Sequence, residues 1–443
     1  MIAIKMICHS SVVIQAGDAH ILCDPWLHGK AFNNSWALLI PSALSEEDLE
    51  RINYLWVSHE HPDHFHIPSL RSLPDSFKER VTVLFKTDFT KKVPEAFRRL
   101  GYPNVRLLPH REIVDLGGGT QVYSFHSRVM DSALGVIRPE GVVLNTNDAE
   151  LTEADCKKVV KDIGRPDVML DQFGIAGSSG QPNYDEVLSY LKRTKVANMM
   201  MHHRALGTQS TIPFASFVYF CMHDNKHINP YLSTMREVYN AFESAGLRCD
   251  ALFPGDTWRL GEPWDSTAAL EKFDEVYNNM DSLAYDESPV VDLATLESAH
   301  GALVEELEGL YPKWLLRRMP PVVVRIPDLE ETISFGLGPG SFQRLSEPAT
   351  PTLTTNSQPL HFAFTNPFGF QTLGVSGRYW VAEKLGAWRY YRVLFSLRNA
   401  GVYGRAKRIF QRDFLSYVWS RKEDLPQQAI DRWRTMSYRS DMT

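Results

Sequence analysis

The chain has 443 residues, 44% of them hydrophobic, which is ample for a large core and points to two domains. A net charge of −6 at pH 7 argues against a general nucleic-acid binder. The five cysteines (Cys8, Cys23, Cys156, Cys221, Cys249) are scattered, odd in number and without C-x-x-C spacing, which argues against a disulfide framework and a thiolate metal site. No apolar run reaches the roughly 18 residues of a membrane span. Met1-Ile2-Ala3-Ile4-Lys5 has no signal-peptide pattern, so a cytoplasmic protein is expected.

Short strand-like runs bounded by Gly, Pro, Asp or Asn fall at 2–6, 11–15, 20–23, 54–57, 81–85, 105–108, 121–125 and 142–145. Helical candidates fall at 46–51, 69–73, 93–100 and 184–192. Gly117-Gly118-Gly119 reads as a turn between strands, because no helix follows it as a phosphate loop requires. Composition shifts after Pro263. Residues 267–318 read as two or three amphipathic helices, for example 293–318, closed by Pro320-Pro321. Strand-like runs return at 322–326, 332–337, 360–365 and 371–375, around a Pro/Thr/Ser-rich loop at 347–358. The end is helical and basic, with Arg405, Lys407, Arg408, Arg412, Arg421 and Lys422. That stretch is either a hold for an anionic carrier or a solvated face.

The run Ser58-His59-Glu60-His61-Pro62-Asp63-His64-Phe65-His66 carries the chemistry. It fits H-x-H-x-D-H and follows the apolar run Tyr54-Leu55-Trp56-Val57. Imidazoles crowded this closely repel once partly protonated and add little to a core. A pair of divalent metals removes both problems, taking neutral imidazole nitrogens and carboxylate oxygens. Alternate residues of an extended segment point one way, so His59 and His61 can share one metal, and a turn at Pro62 swings Asp63 and His64 toward a second. The bland alternative is a His-rich surface loop.

H-x-H-x-D-H after a strand resembles the signature of the metallo-β-lactamase superfamily. The resemblance implies an αββα sandwich over residues 1–262, a helical connector over 263–320, and a C-terminal α+β domain over 321–443 that caps substrate or mediates interaction. It implies further ligands on later loops. His126 follows the strand at 121–125, and Asp148 closes Val142-Val143-Leu144-Asn145-Thr146-Asn147. Asp148 is then the carboxylate bridging both metals. His59, His61 and His126 are expected on one metal, and Asp63, His64 and His223 on the other, with Asp148 and Asp63 as the catalytic carboxylates. Asp131 rivals His126 or adds to it, and His202 and His203 rival His223. Asp24 matches the structural Asp that orients a ligand from behind.

Asp24-Pro25-Trp26-Leu27-His28-Gly29-Lys30-Ala31-Phe32 with Trp36, Leu144-Asn145-Thr146-Asn147-Asp148, Asp171-Gln172-Phe173-Gly174-Ile175-Ala176-Gly177, and Pro213-Phe214-Ala215 with His223 are more specific. They resemble the CMP-N-acetylneuraminate hydroxylase branch over roughly residues 10 to 260. That branch implies a di-iron, O2-dependent monooxygenase acting on a small organic metabolite, with Trp26, Phe32 and Trp36 lining a pocket or simply packing together. The branch's Rieske iron–sulfur ligands are absent from this sequence, so electrons are expected from a separate electron-transfer protein or reductant. The alternative is a hydrolase of an ester, amide or phosphodiester carrying two zinc ions, since His and carboxylate ligands suit either metal. A homodimer is compatible with either.

Overall fold

The structure, a computed structural model, describes residues 1–87, 92–127, 131–176, 184–346 and 349–381. Val129, Met130, Gly177 and the basic stretch from Arg405 to Lys422 lie outside the described residues.

The strands β1 (Ile2–Cys8), β2 (Ser11–Ala16), β3 (Ala19–Cys23), β4 (Tyr54–Val57), β5 (Thr82–Lys86) and β6 (Val105–Leu108) belong to one sheet. A second sheet holds β7 (Ile113–Gly117), β8 (Thr120–Ser127), β9 (Asp131–Arg138), β10 (Gly141–Asn147), β11 (Val168–Gln172) and β12 (Ser210–Phe214). β13 (Thr257–Arg259) returns to the edge of the first, so the orders are β13-β1-β2-β3-β4-β5-β6 and β12-β11-β10-β9-β8-β7. Gly117, Gly118 and Gly119 turn the chain from β7 to β8 with positive φ values of 88°, 58° and 74°, the left-handed region glycine enters without a Cβ clash.

Period-2 alternation sorts the strand residues between two cores. Ile2, Ile4 and Met6 of β1, Val12 and Ile14 of β2, and Val122 of β8 meet between the sheets. On the outer face of the first sheet, Ile7, Val13, Leu22, Val83 and Phe85 pack with Leu70, Phe77 and Phe97 of the helices Ile67–Ser72, Asp75–Arg80 and Lys92–Arg99. On the outer face of the second, Tyr123 and Phe125 pack with Cys156 and Val159 of the helix Glu153–Ile163 and Leu206 of Tyr184–Leu206. Both faces of each sheet are therefore apolar, and the layers run helix, sheet, sheet, helix. This is the αββα metallo-β-lactamase fold. The helix Thr267–Asn278 adds Leu270 and Phe273 to the same core.

A second core forms around Val322, Val324, Ile326, Ile333 and Phe335 on a five-stranded sheet built from Val322–Ile326, Glu331–Phe335 and three two-residue strands. Two readings of this part need correction. The amphipathic run at 293–318 is not one helix. Leu293–Leu310 stops before Pro312, and Lys313–Leu316 follows as a separate turn. The runs at 360–365 and 371–375 are not strands but lie in the helices Ser357–Thr365 and Gly369–Ser376. Leu360, Ala363 and Phe364 are buried at spacings of three and four, a helical period that short apolar runs conceal. Gly369 permits the second helix to cross the first, because a Cβ there would meet Ala363 Cα at 2.6 Å. The aromatic segment accordingly fills a core: Phe364 and Phe370 are buried in this cluster.

This second unit sits on the first through polar contacts. Arg378 Nε donates to Asp224 at 2.9 Å, Asn225 Nδ2 donates to Ser376 O at 2.9 Å, and Asn33 and Gln358 exchange amide hydrogen bonds at 3.0 and 2.8 Å. The Trp380 ring stacks on His227 with centroids 4.7 Å apart. Among the described residues, no helix is long and apolar enough to cross a membrane.

Candidate metal centre

Four strand ends deliver the site to one edge of the sandwich. β3 and β4 run parallel with Cys23 opposite Trp56, so Asp24 and the Ser58–His64 loop emerge side by side. In the second sheet, Leu134 of β9 lies opposite Asn145 of β10, which brings Asp131 and Asp148 to the same edge. Asp24 and Asn147 both have positive φ, 41° and 48°. Asp and Asn tolerate this left-handed region better than other non-glycine residues, and it turns their side chains back toward the loop.

Asp24 is fully buried and organises the loop. Its Oδ1 accepts from Ser58 N at 2.7 Å. Its Oδ2 accepts from Ser58 Oγ at 2.8 Å and from Asn147 Nδ2, and lies 3.0 Å from His64 Nδ1. Ser58 Oγ is in turn 2.8 Å from His59 Nδ1. Both imidazoles are thereby held by Nδ1, which leaves Nε2 directed at the centre.

There, His59, His61 and Asp131 offer ligand atoms that lie within 4.8 Å of one another. His59, His64 and Asp148 do so as well, and so do His9, Asp63 and His64. Asp148 Oδ2 stands 3.8 Å from His59 Nε2 and 3.4 Å from His64 Nε2, within reach of both histidines. Asp131 Oδ1 is 3.9 Å from His59 Nε2, and Asp63 Oδ2 is 3.3 Å from His64 Nε2.

The electrostatics fit a cation. Burial, then the charges of His64 and His61, pushes His59 well below its ordinary value, so it stands neutral as a ligand must. Burial opposes charge on His64 as well, but Asp63, Asp148 and Asp24 override it and hold His64 well above its ordinary value. Burial likewise disfavours ionised Asp63, yet His64 and His9 hold that carboxyl well below the usual range. A positive charge is thus retained amid carboxylates. Three residues here also keep buried polar atoms without a hydrogen bond: His64 Nε2, Asp63 Oδ1 and both ring nitrogens of His9. Such atoms cost about 1–3 kcal/mol each if left so. Metal ions among them would take one ring nitrogen of His9 together with donor atoms of His64 and Asp63.

Other sequence candidates stand apart from these groups. β8 pairs with β9 so that His126 faces Ser132 and Ser127 faces Asp131. Alternation then sends His126 and Asp131 to opposite faces of the sheet. His126 Nε2 lies 3.2 Å from Leu108 O, on the inner side. His223 is exposed, with Nε2 3.6 Å from Glu287. Trp26, Phe32 and Trp36 are buried in one apolar cluster, and the Trp26 ring packs on His9 and His66 with centroids 5.4 and 5.8 Å away. His203 Nδ1 is 2.9 Å from Thr211 Oγ1. One residue of the site is absent from the motif reading. His9 lies in a two-residue turn, Cys8-His9-Ser10-Ser11, and its only signal was an imidazole inside a long apolar strand pair.

His202 is tied to Asp171 at 2.7 Å through Nδ1 and to Leu151 O at 2.7 Å through Nε2. Burial lowers its proton affinity, but the Asp171 charge outweighs burial and raises it above 6.5. A group raised in the folded state stabilises fully below its unfolded value and loses that contribution as pH rises through the folded value. His202→Gln should therefore cost about 3–5 kcal/mol below pH 6.5 and progressively less above it, with metal content unchanged. Urea unfolding of both proteins from pH 5.5 to 9 checks this, and a pH-independent difference would refute it.

Residues 3–150 match the family described as the β-lactamase superfamily domain. Over 68 residues the chain is 37% identical to the cytidine monophosphate-N-acetylneuraminic acid hydroxylase of Sus scrofa, covering 15% of this chain and 16% of that protein. Over 182 residues it is 28% identical to a Mycobacterium tuberculosis protein named for a Rieske 2Fe-2S iron–sulfur group, covering 37% of this chain and 33% of that one. The chain thus spans between 16% and 33% of the length of these curated relatives. Among solved structures, CmlA, a diiron β-hydroxylase from Streptomyces venezuelae, aligns with 18% identity and a TM-score of 0.41 over 58% of this chain and 54% of that one. The protein therefore has a metallo-β-lactamase fold and hydroxylase-like sequence over part of its N-terminal unit, with candidate metal ligands gathered at one edge.

Proposed function

We propose that this protein is a di-iron, O2-dependent monooxygenase that hydroxylates a small organic metabolite. The observation that carries this reading is the partial sequence likeness to hydroxylases, 37% identity over 68 residues, joined to ligand groups made of histidine and carboxylate alone. Each combines two histidines with one carboxylate: His59, His61 and Asp131; His59, His64 and Asp148; His9, Asp63 and His64. Two imidazoles and a carboxylate leaving open positions are a donor set that non-haem iron oxygenases share with catalytic zinc sites. Hard carboxylate oxygens also favour a metal that must pass to a higher oxidation state.

A bound iron pair would supply the O2 chemistry, placing one oxygen atom in a C–H or N–H bond and sending the other to water with two electrons and two protons from a donor. The chain's residues do the rest. Asp24 and Ser58 fix His64 and His59 so that Nε2 faces the centre. Asp148, partly exposed, sits within reach of both His59 and His64. The five cysteines are buried in three apolar clusters, and the electrons are assigned to a donor other than the residues of this site.

The zinc-hydrolase reading draws on the fold and on the same His and carboxylate groups, where bound zinc would lower a water pKa to about 7 and so supply the nucleophile. A single-turnover assay separates the two. Protein reduced chemically under argon is mixed with 18O2 and candidate metabolites. Label in the product is expected. Anaerobic turnover with oxygen drawn only from water would establish the hydrolase instead.

A further inference from the structure

We propose that His9 is a direct metal ligand, completing with Asp63 and His64 a second site that H-x-H-x-D-H alone leaves short of a donor. The proposal rests on the binuclear reading above but not on the choice of iron over zinc.

The turn between β1 and β2 places His9 by register. Cys8 pairs with Ser11 and Val12 with Cys23, so His9 and Ser10 arrive beside Asp24 at the edge where the motif loop emerges. Two further bonds fix the turn. Ser10 Oγ donates to Asp63 O at 3.2 Å, and Ala215 N donates to His9 O at 2.7 Å. The ring is 2% exposed, held edge-on by Trp26 with centroids 5.4 Å apart. Its Nε2 lies 3.5 Å from Asp63 Oδ2, beyond a sound hydrogen bond, and its ring centroid is 6.0 Å from that of His64.

Neither nitrogen of this buried imidazole makes a hydrogen bond. A histidine kept for packing would be costly in that state, since buried polar groups are nearly always satisfied. The unsatisfied Asp63 Oδ1 and His64 Nε2 lie in the same cluster, and a cation among the three residues would take one ring nitrogen of His9 together with a donor atom from each of the other two. The exposed His223, which the sequence pattern offered as last ligand, is turned to Glu287 at 3.6 Å and does not supply that position.

The test is Co2+ and Zn2+ titration with chelator competition on the full chain. Wild type should bind two equivalents. His9→Ala should keep the equivalent held by His59, His61 and Asp131, and lose affinity for the other by at least about 10-fold, with millimolar imidazole restoring it. His9→Gln can still donate to Asp63, so a merely positioning His9 predicts that this variant retains both metals, whereas ligation predicts the same loss. Should neither variant fold, 15N spectra of the zinc-loaded His223→Ala protein decide the matter. Four metal-bound imidazoles are expected, and three would overturn the proposal. Two equivalents of wild-type affinity in His9→Ala would also overturn it. Fewer than two equivalents in wild type would instead overturn the binuclear reading.

Discussion

Asp24→Ala is expected to unfold the site and to weaken the whole N-terminal unit. Alanine would leave Ser58 N, Ser58 Oγ and Asn147 Nδ2 without their acceptor in a pocket closed to solvent, and would free the Nδ1 side of His64. Each stranded buried donor costs about 1–3 kcal/mol. Alanine must also occupy φ 41°, where a Cβ is disfavoured and an Asp side chain is better tolerated. Part of this is recovered by relaxation, so a loss of about 3–5 kcal/mol is expected, read as a lower urea midpoint. Asp24→Asn keeps the shape and one acceptor oxygen but weakens the hold on His64. It should remain folded while metal affinity falls about 10- to 100-fold. Wild-type midpoint and metal content in both variants would show that Asp24 is not the organiser.

Much of the sandwich could be read directly, because its strands are short, apolar and punctuated. β1 to β4 fall where alternation in 2–6, 11–15, 20–23 and 54–57 puts them, and the glycine triplet turns β7 into β8. β7, β9, β11, β12 and β13 lie outside the runs that alternation marks. Val168–Gln172 and Ser210–Phe214 are sandwiched on both faces, so alternation is lost and only a brief apolar run remains. The helix Tyr184–Leu206 was seen only for its first turns, because Met199-Met200-Met201 continues it without a polar face that marks a period. The second unit misled for the opposite reason. Leu360 to Phe364 is dense in aromatic residues, which strands and buried helices share, and length could not arbitrate in so short a run.

Within the candidate centre, local spacing carried His59, His61, Asp63 and His64, because a single loop delivers all four. Ligands from distant strands depend on register, and register is not local. Whether His126 or Asp131 reaches the ligand groups turns on one residue of alternation in the β8–β9 pair. His9 depends on how a two-residue turn sits beside Asp24, which only the pairing of β2 with β3 reveals. Sequence reading therefore recovers the metal-binding chemistry, while the identity of the long-range donors belongs to the fold.

The centre's dependence on Asp148 gives the largest expected effect on function. Its Oδ2 is 3.8 Å from His59 Nε2 and 3.4 Å from His64 Nε2, the only ligand atom in these groups placed near both histidines from outside the motif loop. The side chain keeps 24% of its surface exposed, so removing it creates little cavity, and the fold should survive. Asp148→Ala should lower affinity for both metal equivalents and cut turnover by more than the roughly 100-fold that loss of an outer partner costs. Asp131→Ala should release only the metal at His59 and His61, and His223→Ala should retain two. Inductively coupled plasma analysis of metal per folded chain, alongside circular dichroism, measures all three. Loss of one equivalent in His223→Ala with none lost in Asp131→Ala would reverse the geometric assignment and return the outer ligand to the position that sequence spacing first offered.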